Sequence, residues 1–367
     1  MTGNVQESRI GYDDVRAAAN RIRELVDPSP VIRSPWLSDI AGTAVWLKLE
    51  NLQPPGSFKI RGAANKMLTL TPEQRSSGVI TCSGGNHGAA VAYVAQHLGI
   101  RATVCVPRNV DPVKLQAIQA AGAEAVVDGA TFDTALEGSF RLAHERNLTY
   151  VHPFDDPHVI AGQGTIGLEI QGQVPDATVI AAAVSGGGLA GGIGAAVQGS
   201  RPEVRVVGVS AERAPTMALS AKAGHPVDVP YQDTLAEVLT GTIGANNTFS
   251  LPAVRAFVDR HILVAEEHIA AAMIGALRRH RVVVEGGGAV PIAAVLSGQL
   301  GARESACAGG ADGAIVLVGS GGNVDPPAVL TLWEGAPGMR APRPHPSSGS
   351  PAEKWAPLTL QDSHSMK

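Results

Sequence analysis

The sequence predicts an α/β protein, with a mainly parallel sheet covered by helices on both faces. Two observations predict it. Apolar runs rich in Val, Ala and Ile alternate with stretches of helical periodicity through most of the chain. Glycine clusters fall where those apolar runs end. A strand buried on both faces reads as an unbroken apolar run, and these runs have that form.

Taken in order, residues 43–49 read as a strand and 57–70 as a loop entering a helix. Residues 78–82 read as a strand, and 86–98 as a helix with Ala and Val at helical spacing. Strands follow at 102–106, 124–127, 178–184, 204–209 and 314–318, and the short run 282–284 also reads as a buried strand. Helices are predicted at 112–121, 131–146 and 266–279. The glycine clusters are Ser83-Gly84-Gly85, Ser185-Gly186-Gly187-Gly188, Gly286-Gly287-Gly288 and Gly319-Ser320-Gly321-Gly322. Ligands of open α/β sheets bind at the carboxyl ends of strands, so these turns predict one shared cleft. From about Gly335 the chain is rich in Pro, Ser and His without periodicity, and 335–367 is expected to be a disordered tail.

Composition narrows the function. The chain of 367 residues is 44% hydrophobic and 17% charged, enough for two domains or one large unit. Net charge is 29 − 33 = −4 with no long basic run, which argues against nucleic acid and anionic membranes as partners. No apolar stretch is long enough to span a bilayer, and residues 1–12 lack an apolar signal core. Cys82, Cys105 and Cys307 form no CxxC pair. Cys82 and Cys105 sit in strand-like runs and are expected as buried thiols. A cytoplasmic enzyme is the expectation.

Four elements carry candidate chemistry. Ser185-Gly186-Gly187-Gly188-Leu189 follows a strand and opens a helix, where free backbone N–H groups suit a phosphate. Gly186, Gly188 and Gly191 also satisfy G-x-G-x-x-G, with Glu212 about 20 residues on, so a nicotinamide dinucleotide competes. Tight helix packing is the plainer third reading, and this loop alone leaves the three level. Lys59 follows a Pro54-Pro55-Gly56 turn in Gly56-Ser57-Phe58-Lys59. Burial in a cleft would lower its amine pKa and free it to form a Schiff base; a solvated lysine at a helix start is the plainer reading. Ser83-Gly84-Gly85-Asn86-His87-Gly88 offers hydroxyl, amide and backbone donors to a carboxylate, although Asn86 could simply cap a helix. Ser320, just past a strand, could donate to a ring nitrogen or merely make a turn.

Together these pieces resemble the fold-type II pyridoxal-phosphate enzymes, in the threonine dehydratase and serine racemase group. The matching runs occur in family order over about residues 11–330: Leu49-Glu50-Asn51-Leu52-Gln53-Pro54, Gly56 to Gly62, Ser83 to Gly88, Val159-Ile160-Ala161-Gly162-Gln163-Gly164-Thr165, Ser185 to Leu189, and Ser320-Gly321-Gly322-Asn323. Within the group the chain is most similar to hydroxyectoine-utilisation dehydratases. That likeness rests on His152-Pro153-Phe154-Asp155-Asp156-Pro157, Gly208 to Arg213, Val284 to Val290 and, loosely, Thr240 to Asn247.

The resemblance implies two open, twisted, mainly parallel sheets flanked by helices, with the site in the cleft between two domains. Residues 11–55 with 155–334 would form the large domain and 56–154 the small one. It implies pyridoxal 5′-phosphate on Lys59, with Phe58 beside it and the phosphate on Ser185, Gly186, Gly187, Gly188 and Leu189. Asn86 would bond the ring hydroxyl and Ser320 the ring nitrogen, and Glu285 would orient cofactor or substrate. Ser83, Gly84, Asn86 and His87 would hold the substrate carboxylate. Phe154 and 241–247 are candidates for lining the side-chain pocket. A homodimer is implied.

The implied activity is a β-hydroxy-amino-acid ammonia-lyase acting on threonine, serine or a hydroxyectoine-derived relative. A hydroxyl partner such as Ser320 leaves the ring nitrogen largely neutral, which favours prompt β-elimination. Racemases of the group carry serine at the position of Gly84, so racemisation is not expected. Relatives place a carboxylate where this chain has Ser210, so no metal is assigned. A β-replacement synthase, a non-catalytic cofactor-binding protein and, weakest, a nicotinamide-dependent oxidoreductase are the alternatives.

Overall fold

The computed structural model describes residues 10–108, 110, 112–307 and 313–335. The expected tail lies outside the described residues apart from Gly335, which ends a helix, Pro326–Gly335.

Ten strands are present among the described residues: β1 Val31–Arg33, β2 Val45–Leu49, β3 Val79–Cys82, β4 Ala102–Val106, β5 Glu124–Val127, β6 Thr149–Tyr150, β7 Ala177–Ala183, β8 Arg205–Ala211, β9 Arg260–Val264 and β10 Ala314–Gly319. They form a six-stranded sheet in the order β1-β2-β10-β7-β8-β9 and a four-stranded sheet in the order β5-β4-β3-β6. Every pairing is parallel except β1 with β2.

The alternation of side chains explains the unbroken apolar runs. In β7, Val179, Ala181 and Ala183 face one apolar cluster, while Ile180 and Ala182 face another on the opposite side. β10 divides the same way, with Ile315 and Leu317 against Ala314, Val316 and Val318. Both faces are covered by helices, so neither can be polar. Cys82 and Cys105 sit opposite each other in the β3–β4 register as buried free thiols, held up to about 12 and about 11 by burial.

The predicted central strands and helices are all found, with ends moved by a residue or two. β1 and β6 are only 3 and 2 residues long, and β9 opens with Arg260 and His261, so none of the three carries a clear apolar run. The reading of 282–284 as a strand is corrected. Its backbone pairs with no strand: Asn51 Nδ2 donates to Val283 O and Val282 N donates to Ala276 O. The glycines that follow start the helix Gly286–Leu296.

Three helices fix the spacing of the cleft. Pro157–Gln173 packs between Lys59–Leu68 and Gly188–Gln198. A Cβ at Gly162 would meet Arg61 O at 2.5 Å and Gly62 Cα at 2.7 Å. A Cβ at Gly192 would meet Ile160 O at 2.3 Å. Glycine thus brings the backbones into contact and sets one distance between the lysine helix and the glycine-loop helix.

Gly172, in the same helix, would meet nothing within 4 Å. In urea unfolding, Gly162→Ala should therefore lose about 1–3 kcal/mol by overpacking. Gly172→Ala should be neutral or gain roughly 0.5–1 kcal/mol from helix propensity.

Candidate active site

The segment before Lys59 is sewn to the end of β10. Ser57 bridges Gly321; Phe58 N donates to Ser320 O (3.0 Å) and Gly322 N to Gly56 O (3.0 Å). Gly56 has φ +75°, a turn that a side chain would strain. Lys59 is then the first residue of its helix. Its Nζ donates to Pro153 O at 2.7 Å and lies 5.2 Å from the Phe58 ring centroid. Burial pushes the amine down to about 8, and Glu285 nearby opposes that shift.

A polar chain surrounds it. Asn86 Nδ2 donates to Glu285 Oε1 (2.5 Å), and Asn323 Nδ2 donates to Asn86 Oδ1 (2.7 Å) and Pro55 O (2.8 Å). Glu285 N donates to Gly321 O (3.0 Å). A Cβ on Gly321 would sit 2.1 Å from Glu285 Oε1, so glycine there lets Glu285 reach Asn86. Ser320 is buried directly behind β10. Lys59, Asn86, Glu285 and Ser320 are thus one cluster drawn from distant parts of the chain.

The glycine loop leaves β7 at the same end of the sheet. Gly187 has φ +85° and precedes a helix with no side-chain cap, so the first N–H groups of Gly188–Gln198 have no side-chain acceptor. Ser185 is half-buried at the mouth, and Leu189 is buried in the core below. A Cβ at Gly186 would meet the Phe154 ring at 2.2 Å, so Phe154 lies directly on the loop. The third glycine of the dinucleotide pattern, Gly191, packs against Ala253, where a Cβ would be 2.9 Å away. That is a helix-packing role.

In the Ser83–Gly88 loop the His87 side chain is already engaged elsewhere. His87 Nε2 faces Val151 O at 2.9 Å, and a carbonyl only accepts. The ring N–H is therefore spent, and buried Nδ1 is left as an acceptor. Burial pushes His87 down to about 3, so it stays neutral. Its side chain cannot donate to a carboxylate in this tautomer. The backbone N–H groups at the start of Asn86–Leu98, which has no side-chain cap, can. The Ser83 hydroxyl accepts from Gly85 N (3.3 Å). At Gly84 a Cβ would stand 3.0 Å from Val110 Cγ2, so a serine there would crowd that methyl. Ser210 Oγ donates to Val184 O at 2.6 Å. Among the described residues no group of three or more potential metal ligands occurs.

Sequence reasoning assigns Arg61 no role, yet it anchors the site. Its Nε and Nη2 both donate to Glu50 at 2.8 Å. Nη1 and Nη2 reach Glu169 at 2.5 and 2.9 Å, and Nη1 also reaches Thr165 at 3.0 Å. Lys48 Nζ adds a bond to Glu169 at 2.5 Å. Two cations face two carboxylates almost wholly out of water. Burial works against the Glu50 charge, but Arg61, the Ser29 hydroxyl and Lys48 together outweigh it and hold the carboxyl below its usual range.

A family profile described as pyridoxal-phosphate dependent enzyme matches residues 22–321. The chain belongs to that family. It is 42% identical over 318 residues to a putative threonine dehydratase of Sinorhizobium fredii, covering 87% of this chain and 93% of that one. It is 41% identical over 316 residues to an L-threonine ammonia-lyase of Thermotoga maritima, covering 86% and 76%. Among solved structures it is similar to maize serine racemase, with TM-score 0.81, 34% identity and coverage of 88% and 96%. It is also similar to the processed form of threonine deaminase isoform 2 from Solanum lycopersicum, with TM-score 0.78, 32% identity and coverage of 89% and 90%.

The residues present fit the cofactor of this pyridoxal-phosphate-dependent enzyme. An uncapped helix start behind a glycine turn suits its phosphate, and a desolvated amine suits its aldehyde. Arg61→Ala leaves Glu50 buried without its paired cation, and should cost about 3–5 kcal/mol in chemical unfolding and weaken cofactor retention. Only the neutral Lys59 amine attacks an aldehyde. The rate of cofactor capture by stripped enzyme should therefore rise with pH and level off just above about 8, where an ordinary lysine would still be rising past about 10. A rate still climbing beyond that point would contradict the lowered value.

Proposed function

We propose that this enzyme is an ammonia-lyase that removes the β-hydroxyl and the amine of a hydroxy amino acid, releasing a 2-oxo acid and ammonia. The reading is carried by Lys59. Its amine is lowered to about 8, held by Pro153 O at 2.7 Å, and gathered with Asn86, Glu285 and Ser320. The L-threonine ammonia-lyases at about 40% identity support the reaction class. L-threonine and L-serine are the proposed substrates, and a hydroxyectoine-derived amino acid is the narrower candidate.

When bound, pyridoxal phosphate supplies the electron sink that acidifies Cα. The chain supplies the rest. The glycine loop at Ser185–Leu189 holds the phosphate, and Asn86 and Ser320 hold the ring edges, with Glu285 orienting Asn86. Backbone N–H groups of the Ser83–Gly88 loop bind the substrate carboxylate. Lys59 Nζ takes the Cα proton, aimed by the Pro153 carbonyl. Neutral His87 adds no positive charge beside it. Gly84 and the neighbouring Val110 carry no side chain that could transfer a proton, which supports elimination over racemisation.

We further read the chain as two domains, 11–55 with 155–334 and 56–154. Support comes from the two sheets, one built from β3–β6 alone. A homodimer is proposed on the exposed apolar side chains Leu52 and Val283, which Asn51 ties together. No described helix is long and apolar enough to cross a membrane. A cytoplasmic location is proposed on the facing free thiols of Cys82 and Cys105.

The purified enzyme should show a visible absorbance band that borohydride bleaches, and should release 2-oxo acid and ammonia from at least one of the three amino acids. Lys59→Ala should remove both band and turnover. Turnover that requires an added thiol would mean a replacement synthase, and a colourless enzyme would refute the reading.

A further inference from the structure

We propose that Asp155 is a positioning residue that sets side-chain discrimination by pinning residues 241–249 beside the site. The proposal rests on the lyase reading. The Asp155 carboxylate accepts three consecutive backbone N–H groups from a segment more than ninety positions away: Thr248 (2.9 Å), Phe249 (2.8 Å) and Ser250 (2.8 Å). That segment contains no helix or strand before Ser250. Gly241 and Gly244 have φ of +110° and +80°, and a Cβ at either would meet nothing within 4 Å. Its inward anchor is Ile243, 3% exposed, in the same apolar cluster as Phe58, Phe154 and Leu189. Through Ile243 the segment packs into the cluster that also meets Phe58, beside Lys59, and Phe154, on the glycine loop. We take it as the wall of that cleft, and Asp155 grips its far end.

The grip matters because of its neighbours. Pro153 holds the Lys59 amine, Phe154 lies on Gly186, and Asp155 holds the wall. Three consecutive residues span at most about 10 Å, so amine, glycine loop and wall share one short strap with no slack. A plain helix cap for Ser250–Phe257 would also use these bonds. It would predict loss of stability and nothing else. Positioning predicts a change in which substrate is preferred.

The test uses holoenzyme. kcat and KM are measured for L-serine and L-threonine in wild type, Asp155→Ala and Asp155→Asn. An asparagine Oδ1 can still accept from Phe249 and Ser250, but its amide opposes the Thr248 N–H, so its effect should be the smaller. The expected result is a change of at least about five-fold in the serine-to-threonine ratio of kcat/KM, carried by KM, with the visible band intact. Thr131→Ala removes the cap of helix Phe132–Glu145 and should lower Tm without moving the ratio. Limited proteolysis within 241–249 should be faster in both Asp155 variants. An unchanged ratio with the band intact, or unchanged cleavage, overturns the proposal. A wild type that turns over neither amino acid refutes the lyase reading instead, and the proteolysis then decides the grip alone. If Asp155→Ala does not fold, Asp155→Asn carries the test.

Discussion

The arrangement depends on the Arg61 guanidinium shared between Glu50 and Glu169. In the proposed reading Lys59 meets a cofactor whose phosphate is held by another helix, which requires that the lysine helix not be free to slide. Arg61, two residues on, points away from the cleft into the interior. There it joins the turn after β2, through Glu50, to the helix Pro157–Gln173, through Glu169 and Thr165. Burying these charges is costly, and replacing them with apolar groups could even be stabilising. What the cluster adds is geometry: a planar fork satisfied on both sides admits one orientation of the helix.

Glycine completes that constraint from the other direction. The contacts of Gly62 with Gly162, and of Gly164 with Gly192, stack three helices backbone to backbone. Ionic cluster and glycine crossings together make the lysine helix, the spacer helix and the glycine loop one rigid frame. Two segments without helix or strand hang on this frame. They are the strap of residues 151–156, which touches His87, Lys59, the glycine loop and Lys66, and the wall of 241–249 beyond it. Chemistry thus sits on rigid elements, and substrate choice on a segment fixed by side-chain hydrogen bonds.

Much of this is legible in the sequence. Strands β3, β4, β7 and β10 announce themselves because burial on both faces forces unbroken or nearly unbroken apolar runs. The edge strand β5 is legible from its short Val-rich run although its ends are exposed. The ligand loops announce themselves because close backbone approach demands glycine. Lys59, Asn86, Glu285 and Ser320 stand out as candidates from their motifs, and the structure brings them together. The rest is hidden for physical reasons. Residues 282–284 are as apolar as a strand, but their partners are a helix carbonyl, Ala276 O, and the Asn51 side chain. The Arg61 cluster pairs residues 11 and 108 positions apart, a distance no local pattern encodes. The acceptor for Lys59 is the backbone carbonyl of Pro153, which no residue type signals. His87 has the chemistry of a donor, and only its tertiary contact shows that its N–H is committed to Val151.

The central claim is that Lys59, and no other lysine, forms the covalent link to the cofactor. Borohydride reduction of the holoenzyme followed by peptide mapping tests it most directly. One modified peptide is predicted, carrying the pyridoxyl group on Lys59. A label on Lys48, Lys66 or any other lysine, or no label on an enzyme that still turns over amino acid, would contradict it.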